Sequence, residues 1–237
     1  VTGVQTCALP ISYASVGYLY DYRRHVRPDD AAIAAALPGI DYRHVQLIPD
    51  GPAVRFEREG VRVDLGGIAK GYAVDRGIAV LHAAGIDRAM VNAGGDTRII
   101  GDRFGRPWIT GIRHPDDETK VVLRMPITDA AMSTSGDYER FFDEGGVRYH
   151  HILDPRTGKS ASKVRSVTVI GPTATRTDAL TKSIFIMGAE DGIAFINGID
   201  DVDAVVVKPD GKVLYSRGLA PPDDVSRQSA SEPDRHE

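Results

Sequence analysis

The sequence predicts an α+β domain in which short strands outnumber helices. Three observations carry this expectation. Short apolar runs recur between turns rich in Gly, Pro and Asp, the spacing of small sheets. Only two stretches show helical periodicity. Those two do not alternate regularly with strands, which argues against a doubly wound fold, and no internal repeat is visible.

The elements follow in order. Val61–Leu65 reads as a strand. Ile68, Tyr72, Ala79 and His82 then fall near helical spacing, with Gly85 where a helix would end. Arg88–Asn92 reads as the next strand, so 61–92 is expected to be one βαβ unit. Further strands are expected at Thr97–Ile100, Trp108–Ile112, Val121–Met125, Arg148–Leu153 and Val164–Ile170. Asp154–Gly158 is a turn by composition. A second helix should span Thr177–Met187, with Thr177 as N-cap and Gly188 beyond its end. Asp203–Val207 and Val213–Ser216, joined by KPDGK, should form a hairpin.

Composition bounds the function. The 237 residues allow one large or two small domains. A formal net charge of -4, without a Lys/Arg block, argues against nucleic acid as the main partner. No apolar run approaches the roughly 20 residues of a membrane helix. Cys7 is the only cysteine, so no disulfide framework or cysteine metal site is expected. The opening VTGVQTCALPIS resembles a translated frame of a sequencing-library adapter, so residues 1–12 are set aside as an expected artefact, leaving 13–218 as the domain. Residues 219–237, polar from Pro221 onward, are expected to form a disordered tail.

Several short segments could carry chemistry. Asp64-Leu-Gly-Gly67 enters a helix, where glycines let backbone approach a ligand and the helix terminus attracts phosphate, but the spacing is not that of a known phosphate loop. Alone it reads as a tight connection, and Lys70 as a solvated lysine. Asn92-Ala-Gly-Gly-Asp96 is a second glycine turn, and two such turns together would make one backbone-lined groove. Thr134-Ser-Gly-Asp-Tyr138 reads alone as a polar loop entering a helix. His150 and His151 read as strand histidines, one inside and one outside. Asp178 falls in the first turn of the expected second helix, where the macrodipole alone favours a carboxylate; a Mg²⁺ ligand would look the same.

Taken together, DLGGIAKGYAVD, VNAGGDTRIIG, TSGDYER, YHHILDPRTG, SVTVIGPTA and TDALTKSIFIMG resemble, in this order, the ApbE family of FAD:protein FMN transferases, over roughly Val16 to Gly218. The resemblance implies an ApbE/T-fold-like domain with short-stranded mixed sheets and flanking helices. It implies Mg²⁺-dependent transfer of FMN from FAD, through a phosphoester bond, to a Thr or Ser hydroxyl of an acceptor flavoprotein, with AMP released. Carried over by position, Asp64, Lys70, Thr134, Ser135 and Leu153 would hold FAD. Gly67, Asp178, Thr181 and position 182 would hold the metal, and His151 would stand nearest the chemistry as a general base. An exported protein is implied, periplasmic or lipid-anchored on an inner membrane through the family's first portion, which would precede Val1. An FAD pyrophosphatase and a non-catalytic flavin carrier are the rival readings.

Lys182 departs from this pattern, because family members commonly carry Thr there. Residues 178 and 182 are one helical turn apart. Two unit charges 4 Å apart repel by about 4 kcal/mol at an effective dielectric of 20, and a dication doubles that to roughly 8. Either Lys182 turns to solvent, with Thr181 or water completing the metal shell, or its ammonium replaces the cation. The first is the favoured expectation, since a long side chain can snorkel away.

Overall fold

The structure, a computed structural model, describes residues 11–49, 51–115 and 117–219. The first ten residues of the adapter-like segment and tail residues 220–237 therefore lie outside the described residues. Ile11 and Ser12 belong to a 3₁₀ turn over Ile11–Tyr13, where Ser12 is buried and the Ile11 carbonyl accepts from the Asp64 N–H at 2.9 Å.

Short helices α1 (Ala14–Gly17) and α2 (Asp30–Ala36) come first, followed by the hairpin β1 (Val45–Ile48) and β2 (Ala53–Phe56). Helix α3 (Ala69–Ala83) leads into β3 (Ala89–Ala93) and β4 (Asp96–Ile100). The long hairpin β5 (Trp108–His114) and β6 (Asp117–Ile127) precedes β7 (Ala131–Gly136). A small hairpin, β8 (Phe141–Glu144) and β9 (Val147–His150), is followed by β10 (Ser166–Gly171). Helices α4 (Ala174–Met187) and α5 (Ala189–Ile196) then lead to β11 (Asp203–Val207) and β12 (Val213–Tyr215). Among the described residues, no helix is long and apolar enough to cross a membrane.

One sheet organises the molecule, in the order β12-β11-β10-β7-β4-β3, with every pairing antiparallel. Alternation along the strands sorts its two faces. Val167 and Val169 join Ile184, Phe185 and Ile196 in the core beneath α4 and α5. Ile99, Met132 and Val205 instead pack with Ile112 and Ile127 of the β5–β6 hairpin. Full burial of Phe185 and Ile184, each worth roughly 1.5–3 kcal/mol, holds α4 on the sheet.

The α+β class stands, and four details differ from expectation. Val61–Leu65 is not a strand, so there is no βαβ unit: β3 turns straight back onto β4 and forms the sheet edge, leaving 61–65 without a ladder partner. The sheets among the described residues are antiparallel rather than mixed. The Thr134 segment is no loop entering a helix but part of β7, between β10 and β4 at the sheet centre; its β-branched and hydroxyl side chains find partners on both faces. Helix α4 begins one turn earlier than expected. Thr173 is its N-cap, accepting from the Arg176 N–H, which leaves Thr177 inside the helix and Asp178 beyond the first turn.

Candidate active site

The chain reaches Asp64 in an extended segment, and the Asp64 carboxylate folds back to accept from the Gly66 N–H at 2.6 Å. This local bond shapes the turn that presents Gly66 and Gly67 at a cavity and starts α3. Lys70, second residue of α3, leans over the β3–β4 turn. There Gly94 and Gly95 take φ of 56° and 92°, as a tight hairpin requires, and a Cβ on Gly94 would meet the Lys70 stem at 3.0 Å. The two glycine turns therefore share one groove, with the lysine laid between them.

Beneath that groove lies a cluster of four charges. The Lys70 ammonium is 2.5 Å from Asp96 Oδ2 and 3.5 Å from Asp178 Oδ1. Asp178 Oδ1 also accepts from the Lys182 ammonium, one turn further along α4, and its Oδ2 accepts from the Gly71 N–H at 3.2 Å. Both carboxylates are fully buried. Burial opposes the charge on Lys70, but Asp96 and Asp178 outweigh it and hold its pKa above the ordinary lysine value. Burial and the like charge of Asp178 push Asp96 up. Lys182 goes down because burial outweighs its attraction to Asp178. Asp96 Oδ1 is buried without a hydrogen-bond partner.

Lys182 does not turn to solvent. Its side chain is 8% exposed, and its ammonium also donates to the Asp178 carbonyl at 3.1 Å. The physical reason is the buried Asp178 carboxylate, which needs a counter-charge that a snorkelling lysine would withdraw. The pairing also replaces the helix-macrodipole account of Asp178.

Helix α4 is locked to β7 by two hydroxyl pairs, Ser133 with Thr177 and Ser135 with Thr181, each 2.8 Å. The match is geometric: two residues along a strand advance about 6.7 Å, and four along a helix about 6 Å. Thr181 also donates to the Asp178 carbonyl at 2.7 Å, so its hydroxyl is engaged within the fold. Thr134 and Ser135 both border the cavity, and Thr134 is paired with Thr168 across the sheet. Helix α3 is tied to α4 by Asp75, whose carboxylate accepts from the Ala174 and Thr175 N–H groups at 2.9 and 2.8 Å.

The adjacent histidines have different jobs. His150 Nε2 donates to the Ala161 carbonyl at 2.6 Å, and Nδ1 accepts from the Ile152 N–H, so this ring is structural. His151 borders the cavity with Nδ1 buried and unpartnered. Burial, reinforced by His150, lowers its pKa to about 4, so the ring is neutral at pH 7. Leu153 lies apart: strand β9 ends at His150, and the Leu153 side chain packs with Val16, Tyr20 and Ile33. Ile152 is the neighbour that borders the cavity.

The structure thus brings together Asp64, Gly67, Lys70, Thr134, Ser135, His151 and Lys182 on one cavity, with Asp178 and Thr181 directly behind it. Arg140 and Tyr13 complete the cavity, and Asp96 the charge cluster beneath it, without having been singled out. Burial raises the Tyr13 hydroxyl pKa to about 12, with Asp64 adding to the shift. Asp96 carried a signal, a carboxylate directly after a glycine turn and before an apolar strand. Arg140 stood at the end of TSGDYER.

The model of the ApbE family matches residues 5–206. The FAD:protein FMN transferase of Treponema pallidum is 36% identical over 214 residues, covering 84% of this chain and 59% of the relative. That of Rhodobacter capsulatus is 40% identical over 162 residues, covering 68% and 31%. The chain therefore spans less than two thirds of either curated relative. Among solved structures, the ApbE protein of Thermotoga maritima superposes with a TM-score of 0.82 at 35% identity, over 89% of this chain and 70% of that one. The flavin transferase ApbE of Vibrio cholerae does so with 0.79 at 30% identity, over 92% and 72%.

Proposed function

The chain belongs to the ApbE family, and on that premise we propose that it transfers the FMN half of FAD to a Thr or Ser hydroxyl of an acceptor flavoprotein. The observation that carries this reading is the cavity itself. Two backbone turns, two ammonium groups and an unprotonated histidine converge there, beside the N-terminus of a 15-residue helix. Phosphoryl transfer asks for little more than positioning and charge neutralisation. The relatives named FAD:protein FMN transferase support the same substrate.

In the proposed step the acceptor hydroxyl oxygen attacks the FMN-side phosphorus of the pyrophosphate. A new P–O bond forms, the bond to the AMP phosphate oxygen breaks, and AMP leaves with its electron pair. Lys70, Lys182 and Arg140 would face the phosphate charge, and the Gly67 backbone would bring an N–H group to it, the Gly66 N–H being held by Asp64. The neutral His151 ring, which borders the cavity, would accept the hydroxyl proton.

Magnesium, which the sequence resemblance implied, does not fit the donor set as placed. Asp178 Oδ1 faces two ammonium groups, its Oδ2 is taken by Gly71, and Thr181 is engaged with Ser135. Asp96 Oδ1, though unpartnered, lies beside the Lys70 ammonium, so both carboxylates of the buried cluster face fixed positive charge rather than an open cation place. No step above runs through it.

The test incubates the protein with FAD and an acceptor domain carrying a flavinylation threonine, read by intact mass. Covalent FMN on the acceptor is expected. Free FMN and AMP with no label would make it a pyrophosphatase, and bound intact FAD alone would make it a carrier.

A further inference from the structure

We propose that this site carries its own cations: Lys182 occupies the place beside Asp178 that a divalent ion would need, and with Lys70 it neutralises the FAD pyrophosphate directly. The inference rests on reading the cavity as an FAD pyrophosphate site. Its grounds are geometric. Lys182 is buried, lines the cavity, and is held at both the carboxylate and the carbonyl of Asp178. Lys70 lines the same cavity and touches both Asp96 and Asp178. Two buried carboxylates and two ammonium groups sum to zero, so the cluster is balanced as it stands.

A dication entering this cluster would leave it with two excess positive charges beside two fixed ammonium groups. A pyrophosphate is the opposite case, because its oxygens can share the Lys70 and Lys182 protons that face the cavity. Lys182 cannot leave cheaply either. It sits mid-helix on the buried face of α4, between the fully buried Thr181 and the nearly fully buried Ser183. Swinging it out would strip Asp178 of its closest counter-charge. The geometry therefore favours a resident ammonium over an exchangeable metal.

Binding measurements test this without relying on transfer. Mn²⁺ is titrated by EPR into the native protein, Lys182→Thr and Lys182→Arg, all without flavin. FAD fluorescence quenching is followed in EDTA for the same proteins. Lys182→Thr should bind Mn²⁺ at least about tenfold more tightly than the native protein, since like charge close to a poorly screened site is removed. Lys182→Arg should stay weak. FAD should bind the native protein in EDTA and bind Lys182→Thr in EDTA at least about tenfold more weakly, as loss of one buried charge contact predicts. Mn²⁺ binding to the native protein as tight as to Lys182→Thr would overturn the proposal, as would loss of native FAD binding in EDTA. Should Lys182→Thr not fold, the native protein in EDTA still decides. FAD bound without metal but never transferred would sink the transferase reading and leave this inference standing.

Discussion

Gly71→Ala is the perturbation that most directly tests how the fold builds the site. Gly71 is the third residue of α3, where the helix crosses α4. A Cβ there would lie 2.3 Å from the Ala174 carbonyl oxygen and 2.9 Å from Asp178 Cβ. Ordinary contact begins near 3.4 Å, so the shortfall against Ala174 is 3.4 - 2.3 = 1.1 Å, against backbone that has no rotamer to change. The helices must part by about that much, which costs roughly 1–3 kcal/mol as overpacking. For a domain of this size that is a melting-temperature drop of about 2–12 °C. The same shift breaks the Gly71 N–H bond to Asp178 and moves Lys70, so FAD affinity should fall with stability. Gly77→Ala is the control on the same helix. Its Cβ meets only the Val91 side chain at 3.3 Å, and alanine should gain roughly 0.5–1 kcal/mol there. Thermal melts and FAD fluorescence titrations read both variants. A Gly71→Ala protein that melts within about 1 °C of native and binds FAD equally would refute the close-contact account.

Two further predictions concern charge. Asp178→Ala leaves the buried Lys182 ammonium without its partner, which should cost about 3–5 kcal/mol in chemical denaturation. Adding Lys182→Met should recover most of that loss, and a single variant as stable as native would mean the pair is solvated. His151 titrates at about 4 in the fold against about 6.5 when unfolded, so between those values the unfolded chain binds the extra proton. Stability should therefore fall as pH drops from 6.5 to 4, by up to roughly 3 kcal/mol, and His151→Asn should flatten the slope. The transfer rate should likewise hold down to pH 5 and fall only near 4; an inflection near 6.5 would show an exposed imidazole instead.

Much of the sheet was legible in the sequence because its strands are short and their turns are marked. β10 reads as a strand since it is buried on both faces, and KPDGK marks the β11–β12 turn correctly. The start of α4 was not legible. Thr173, Thr175 and Thr177 all offer a capping hydroxyl, and only the approach of Asp75 from α3 selects the first. β7 was misread for a related reason: Ser133, Thr134 and Ser135 look like loop residues until a helix and a strand supply their hydroxyl partners. Within the site, glycine turns and Lys70 could be found locally. The Lys70–Asp96 and Lys182–Asp178 pairs could not, because the direction a lysine takes depends on which carboxylate the fold has buried nearby.

The four charges also explain why the site is built on regular elements rather than on long loops. An ion pair held at hydrogen-bonding distance in a buried place is favourable only if its geometry is kept, since a small displacement leaves the desolvation cost unmatched. Three constraints keep it here. Asp75 joins the first turn of α4 to α3, Gly71 lets those helices touch, and the Ser133–Thr177 and Ser135–Thr181 pairs fix α4 on β7. Apart from Ser135, which borders the cavity, these constraints come from residues outside it or behind it, and each sets the position of Asp178 relative to Lys70. A pyrophosphate entering such a site meets a half-exposed Lys70 and a buried Lys182 already oriented by their carboxylates, so little reorganisation is left for the moment of transfer. The rigidity that makes the cluster tolerable in the fold is the same rigidity that makes it useful to a phosphoryl group.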